Sequence, residues 1–122
     1  MDTTALEQIV LNLVANARAA IVDDGRITVA TSLVVERPVV VVGPPTMRRW
    51  LRLTVTDNGS GMSEGTLSQI FEPFFITKSQ SGGTGLGLFT VSVLVRQAGG
   101  AVSATSTQGD VTSFLIDLPL DA

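Results

Sequence analysis

The 122-residue sequence contains no cysteine and no histidine. The first absence excludes a disulfide framework or a thiolate metal site, and the second removes the commonest metal ligand and the commonest general base. Any chemistry must therefore run on carboxylates, amides, lysine, hydroxyls or a bound ion. Charge is scarce as well: at 16% charged residues and a net charge of -3 there is no basic footprint for nucleic acid. No apolar run reaches the 18 residues a membrane helix needs, and the opening MDTTALEQ has neither the basic start nor the apolar centre of a signal peptide. These absences predict a cytoplasmic domain without nucleic-acid or direct membrane contact, any membrane anchor belonging to a parent protein. What is present is 44% hydrophobic residues, enough for one compact α/β domain over residues 1–122.

Residues 4–22 place Leu6, Ile9, Val10, Leu13, Val14, Ala17 and Ile21 on one face at helical spacing, and Asp23, Asp24 and Gly25 break the pattern. RITVATSLVV (26–35) alternates as a strand with Ile27, Val29 and Leu33 sharing a parity, and Pro44 and Pro45 mark the turn of the connection that follows. WLRLTVTD (50–57) is the clearest strand, in which Leu51, Leu53, Val55 and also Asp57 share the apolar side. A short helix capped by Ser63 runs to Ile70, and LFTVSVLVRQA (88–98) forms a second long helix stopped by Gly99 and Gly100. AVSATST and TSFLIDL close the chain as a hairpin. This order predicts a two-layer α/β sandwich, a mixed sheet covered on one face by about three helices.

GGTGLGL (82–88) sets glycines 83, 85 and 87 at the entrance of the second long helix. A helix start carries unpaired N–H groups and partial positive charge, and glycines let an anion approach them, so phosphate is the natural ligand. The known alternatives fail: a P-loop needs Lys and Ser or Thr after its last glycine, where Leu88 and Phe89 stand, and a dinucleotide fingerprint needs a preceding strand, where KSQS stands.

Asn12 and Asn16 lie one turn apart at the border of the first helix's apolar stripe, an unusual place for a residue that prefers caps and turns. They either hydrogen-bond to neighbouring loops or offer amide oxygens to a hard cation such as Mg²⁺. Strand parity sends the Asp57 carboxylate to the core side, where it needs a donor; the amino group of adenine would serve, and a turn-capping role in the Asp-Asn-Gly sequence is the other reading. Lys78 stands in a loop from which it could reach a terminal phosphate, and Phe71, Phe74 and Phe75 read as an aromatic cluster packed on the domain.

Together these pieces resemble the catalytic and ATP-binding domain of bacterial sensor histidine kinases, in the superfamily shared with gyrase, MutL and a heat-shock chaperone. LNLVANARAA (11–20) is similar to the family's N box, DNGSGM (57–62) to its G1 box, FEPFFITK (71–78) to its F box and GGTGLGL to its G2 box. The resemblance implies the Bergerat fold with a flexible ATP lid from about Ile76 to Gly83. It also implies ATP and Mg²⁺ as cofactors, Asn16 as the Mg²⁺ ligand and Asn12 facing the same site. It assigns Asp57 to adenine, with Gly59, Gly61 and Met62 around the base, and Lys78 to the γ-phosphate. Gly83, Thr84, Gly85, Leu86, Gly87 and Leu88 become the phosphate cradle. Arg18 is the candidate for the basic residue that often follows the Mg²⁺ asparagine. QGDVTSF resembles the family's GxGTxF, which makes Thr112 a further contact, with Val111 in place of the second glycine.

The activity so implied is transfer of the ATP γ-phosphoryl group to a histidine, catalysed by Asn12, Asn16 and Lys78. Such kinases carry that histidine on a separate dimerisation domain, which becomes the expected partner, with a response regulator served indirectly. Two alternatives stay open: an anti-sigma-factor-type serine kinase of the same superfamily, and a nucleotide-binding regulatory module without catalysis.

Overall fold

In the computed structural model, residues 3–21, 24–36, 48–75, 86–107 and 109–120 are described. Their order is α1 (Thr3–Ala20), β1 (Ile27–Glu36), β2 (Arg48–Asp57), α2 (Glu64–Leu67), α3 (Gly87–Gln97), β3 (Ala101–Ser106) and β4 (Thr112–Pro119). The expected turn at Pro44 and Pro45 and the expected lid lie outside the described residues.

The core follows from the periodicities. On α1 the buried residues are Ile9, Leu13 and Ala17, each one turn from the last; on α3 they are Leu88, Val91, Ser92 and Val95. Leu53 and Val55 of β2 and Phe114, Ile116 and Leu118 of β4 meet them from the sheet. Register pairs Leu51 with Leu118, Leu53 with Ile116 and Val55 with Phe114, so the two central strands present one apolar ladder to the helices. The next rung in that ladder is Asp57 opposite Thr112, both buried, at 1% and 3% exposure. On the other face Arg52 holds the directly opposed Asp117 through both oxygens, at 2.8 and 3.0 Å.

The sandwich is as read from the sequence, but the sheet, of order β1-β2-β4-β3, is antiparallel at every described pairing and not mixed. The reason lies in the closing hairpin. β3 runs in the same direction as β2 and would have paired parallel beside it, but the hairpin inserts its second strand, β4, between the two. β1 also departs from expectation. Val29 and Leu33 do share the face of Val55 and Leu51, yet they are 48% and 60% exposed, because β1 is an edge strand and only Ile27 at its start packs against the core.

Among the three clustered phenylalanines, Phe71 packs edge-to-face on Phe114 with centroids 6.1 Å apart. Phe74 does not join a cluster. Its backbone has φ +65° and its ring is 72% exposed, because the chain turns there and aims the side chain outward.

Candidate functional site

The Asp57–Met62 loop is pinned at nearly every step. The Gly59 N–H donates to Asp57 Oδ1 at 2.9 Å, Asn58 exchanges hydrogen bonds with Arg26, and the Ser60 N–H donates to the Ala20 carbonyl at the end of α1. From the other side Gly109 N–H reaches the Ser60 carbonyl at 2.6 Å, and Met62 N–H reaches Ser106 Oγ at 2.8 Å. The loop is thus clamped between α1 and the β3–β4 turn. Its two glycines are needed for that fit: a Cβ at Gly59 would strike the Ala20 carbonyl, and one at Gly61 would strike the carbonyls of Thr107 and Asp110, with φ +69° besides.

Asp57 is the buried charge of this region. Burial pushes its pKa above the ordinary 3.8, and the Gly59 N–H opposes the shift in part. Gly59 is the one donor to this carboxylate among the described residues, which leaves acceptor capacity for a ligand. Thr112 faces it across the sheet and is linked to Ser106 by a 2.7 Å hydroxyl pair. Met62 is half-buried beside the core. Position 111 does not need the family's glycine, because its backbone is not left-handed and the Val111 side chain is exposed.

The other end of the site is the start of α3. Leu86, the N-cap residue, makes no side-chain hydrogen bond to the helix, whose start presents N–H groups and partial positive charge. Gly87 is exposed there; Leu88 is buried in the core, so its contribution to a cradle is through its backbone. Asn12 fixes this end to α1, its Nδ2 donating to the Gly87 carbonyl at 3.1 Å while its Oδ1 accepts from Gln8 Nε2 at 2.8 Å. The loop-bonding reading of Asn12 therefore holds, and it places the residue beside the helix entrance. Asn16 is half-buried one turn on. Arg18 is exposed and leaves the helix about 160° around from Asn16, since 3.6 residues complete a turn. Lys78, Gly83, Thr84 and Gly85 lie outside the described residues.

α1 thus serves as a rail. Ala20 holds the carboxylate loop and Asn12 holds the α3 entrance, about 12 Å apart at 1.5 Å per residue, with Asn16 between them. A buried carboxylate at one end and a helix start at the other are thereby held at a separation on the scale of an extended nucleotide. Sequence reasoning missed Gln8 and Ser106. For Ser106 a signal existed: it shares the inward parity of Val102 and Ala104, where a hydroxyl stands out.

Residues 1–122 match the family described as histidine kinase-, DNA gyrase B-, and HSP90-like ATPase. The two-component sensor PprA of Pseudomonas aeruginosa is 43% identical over 96% of this chain, which covers 12% of that protein. The sensor kinase CckA of Brucella abortus is 36% identical over 97% of the chain, covering 13% of the relative. For the sensor histidine kinase ZraS of Escherichia coli the values are 35%, 98% and 23%. The chain therefore spans less than a quarter of each of these relatives. Among solved structures, the mycobacterial sensor histidine kinase MprB superposes with a TM-score of 0.78 at 28% identity, over 98% of this chain and 74% of that one. Full-length ShkA in complex with AMPPNP gives 0.63 at 30% identity, over 94% and 21%. The chain belongs to the histidine kinase-, DNA gyrase B-, and HSP90-like ATPase family, as an ATP-binding domain of the kind carried by two-component sensor kinases.

Proposed function

We propose that residues 1–122 form one catalytic domain that binds ATP with Mg²⁺ and passes the γ-phosphoryl group to a histidine on a separate dimerisation domain. The observation that carries this reading is the buried Asp57 carboxylate, with acceptor capacity to spare, joined by α1 to the start of α3. Asp57 would accept from the adenine amino group, and the α3 N–H groups would meet the phosphates. Asn16 would hold Mg²⁺ through its amide oxygen. The residues fit that ion in one way: among the described residues no three acidic or histidine side chains gather to hold a metal, so phosphates and water would supply the other oxygens. Mg²⁺ would supply neutralisation of the phosphate charge. Lys78 is proposed as a further cation near the γ-phosphate.

The reaction asks little of the protein beyond position and charge, because phosphoryl transfer proceeds through a loose transition state. An acceptor imidazole nitrogen would attack phosphorus as the bond to the bridging oxygen breaks and ADP leaves. Residues 1–122 hold no histidine, so the acceptor would lie outside them. Among the described residues no helix is long and apolar enough to cross a membrane. ShkA, a similar structure, was solved with AMPPNP, an ATP analogue, which supports the nucleotide assignment. Calorimetric titration with ATP, with and without Mg²⁺, tests the proposal; no binding under either condition would overturn it.

A further inference from the structure

Ser106 belongs to none of the resemblance's boxes, yet it joins three parts of the base end. Its Oγ accepts the Met62 N–H at 2.8 Å and lies 2.7 Å from Thr112 Oγ1. Two hydroxyls carry two protons, and only one lies in the bond between them. Either hydroxyl can donate in the pair, and the fixed Met62 N–H donor favours the head-to-tail order from Met62 N–H to Ser106 O–H and on to Thr112, in which each bond polarises the next. In that direction the leftover proton sits on Thr112. Thr112 is buried directly opposite Asp57, and cross-strand partners bring their Cβ atoms to about 5 Å.

We propose that Ser106 is a positioning residue for base selection: it makes the Thr112 hydroxyl a donor beside the Asp57 acceptor. This inference rests on the ATP reading above. A donor next to an acceptor matches the adenine edge, where the 6-amino donor adjoins the N1 acceptor. A 6-oxo purine reverses the pattern: its oxygen would face the Asp57 carboxylate, and its N1–H would face the Thr112 hydroxyl proton, which must turn away before the oxygen can accept. Discrimination would then come from two mismatches, and Ser106 controls one of them through Thr112.

The test is the affinity of the 122-residue chain for ATP, inosine triphosphate and inorganic tripolyphosphate, with Ser106→Ala, Ser106→Cys and Ser106→Thr beside the parent. Ser106→Ala should weaken ATP about three- to tenfold, the size of one net hydrogen bond. It should also narrow the preference for ATP over inosine triphosphate while leaving tripolyphosphate unchanged, and Ser106→Thr should restore both. A merely structural Ser106 would lose ATP and tripolyphosphate together, and that result would overturn the proposal, as would unchanged ATP affinity. Should the Ala variant fail to fold, Ser106→Cys, near in size but a weak hydrogen-bonding group, must show the same selective loss, and parental selectivity in it overturns the proposal. A parent that binds no ATP would overturn the reading beneath the inference, and the inference with it.

Discussion

Asn12 Nδ2 donates to the carbonyl of Gly87 across 3.1 Å, joining the first helix to the entrance of α3 between residues 75 apart in sequence. Because a carbonyl only accepts, the amide must present nitrogen there and oxygen to Gln8. Asn12→Asp keeps the shape and removes the donor, setting two acceptors against each other. Gly87 is exposed, so water can take over part of the bond. The expected loss is about 0.5–1.5 kcal/mol of stability, a fall of a few degrees in Tm, with weaker ATP-analogue binding as the α3 entrance loosens. Calorimetry of the variant checks both; parental melting and affinity together would show that the clamp carries no function.

Asp57→Asn separates binding from stability. Burial raises the folded-state pKa of Asp57, so the ionised form is disfavoured by folding, and the cost grows as pH rises from the ordinary 3.8 through the raised value. The cost is complete once pH stands above the raised value. Without nucleotide the Asn variant should therefore melt above the parent at pH 7, with the difference closing as pH falls below the ordinary carboxylate value. Excess ATP should reverse the order, since the variant loses a charge-assisted hydrogen bond worth roughly 1.5–3 kcal/mol to the adenine amino group. Melting curves across pH, with and without ATP, decide it, and an apo variant less stable at pH 7 contradicts the cause assigned to the shift.

Much of this was legible in advance because α1, β2 and α3 carry strong single-period patterns, and the parity that buries Leu53 and Val55 carries Asp57 with them. Less legible was anything set by contacts far apart in sequence. The insertion of β4 between β2 and β3 turned the sheet antiparallel, and the edge position of β1 left Val29 and Leu33 exposed. No local pattern distinguishes these from the alternatives. The resemblance places Gly59 and Gly61 around the base; that a Cβ at either would strike carbonyls of Ala20, Thr107 and Asp110 is likewise set by residues distant in sequence.

Gly61→Ala follows from that close approach. The backbone there has φ +69°, which costs a non-glycine residue roughly 1–2 kcal/mol, and the added methyl must displace the Thr107 carbonyl. The β3–β4 turn should detach from the loop, carrying Gly109 from Ser60. Expected are a Tm lower by several degrees and faster amide exchange at Gly109. A variant as stable as the parent would mean that the turn yields freely.

Asn16→Ala tests the proposed cation ligand. The side chain sits at the border of the α1 stripe, and Ile9, Leu13 and Ala17 keep their burial without it. The variant should stay folded, while the gain in ATP affinity on adding Mg²⁺, expected of the parent, should disappear. A variant that still gains affinity with Mg²⁺ would move the ligand role to another oxygen, with Asn12 the nearest turn along the helix.

The proposed reaction makes a prediction about the whole system. Since the chain has no histidine, it should bind ATP without acquiring a phosphohistidine, and an added dimerisation domain with an acceptor histidine should become labelled in trans. Transfer should be slow and should rise with acceptor concentration, because two separate domains lack the effective concentration that a linker gives. γ-Labelled ATP and an acid-lability assay measure this, as phosphohistidine is lost in acid and phosphoserine is kept. An acid-stable label would point to a serine kinase of the same family. ATP binding with no label at any acceptor concentration would leave a regulatory module, in which the Asp57 pocket and the α3 entrance hold nucleotide for a partner and not for transfer.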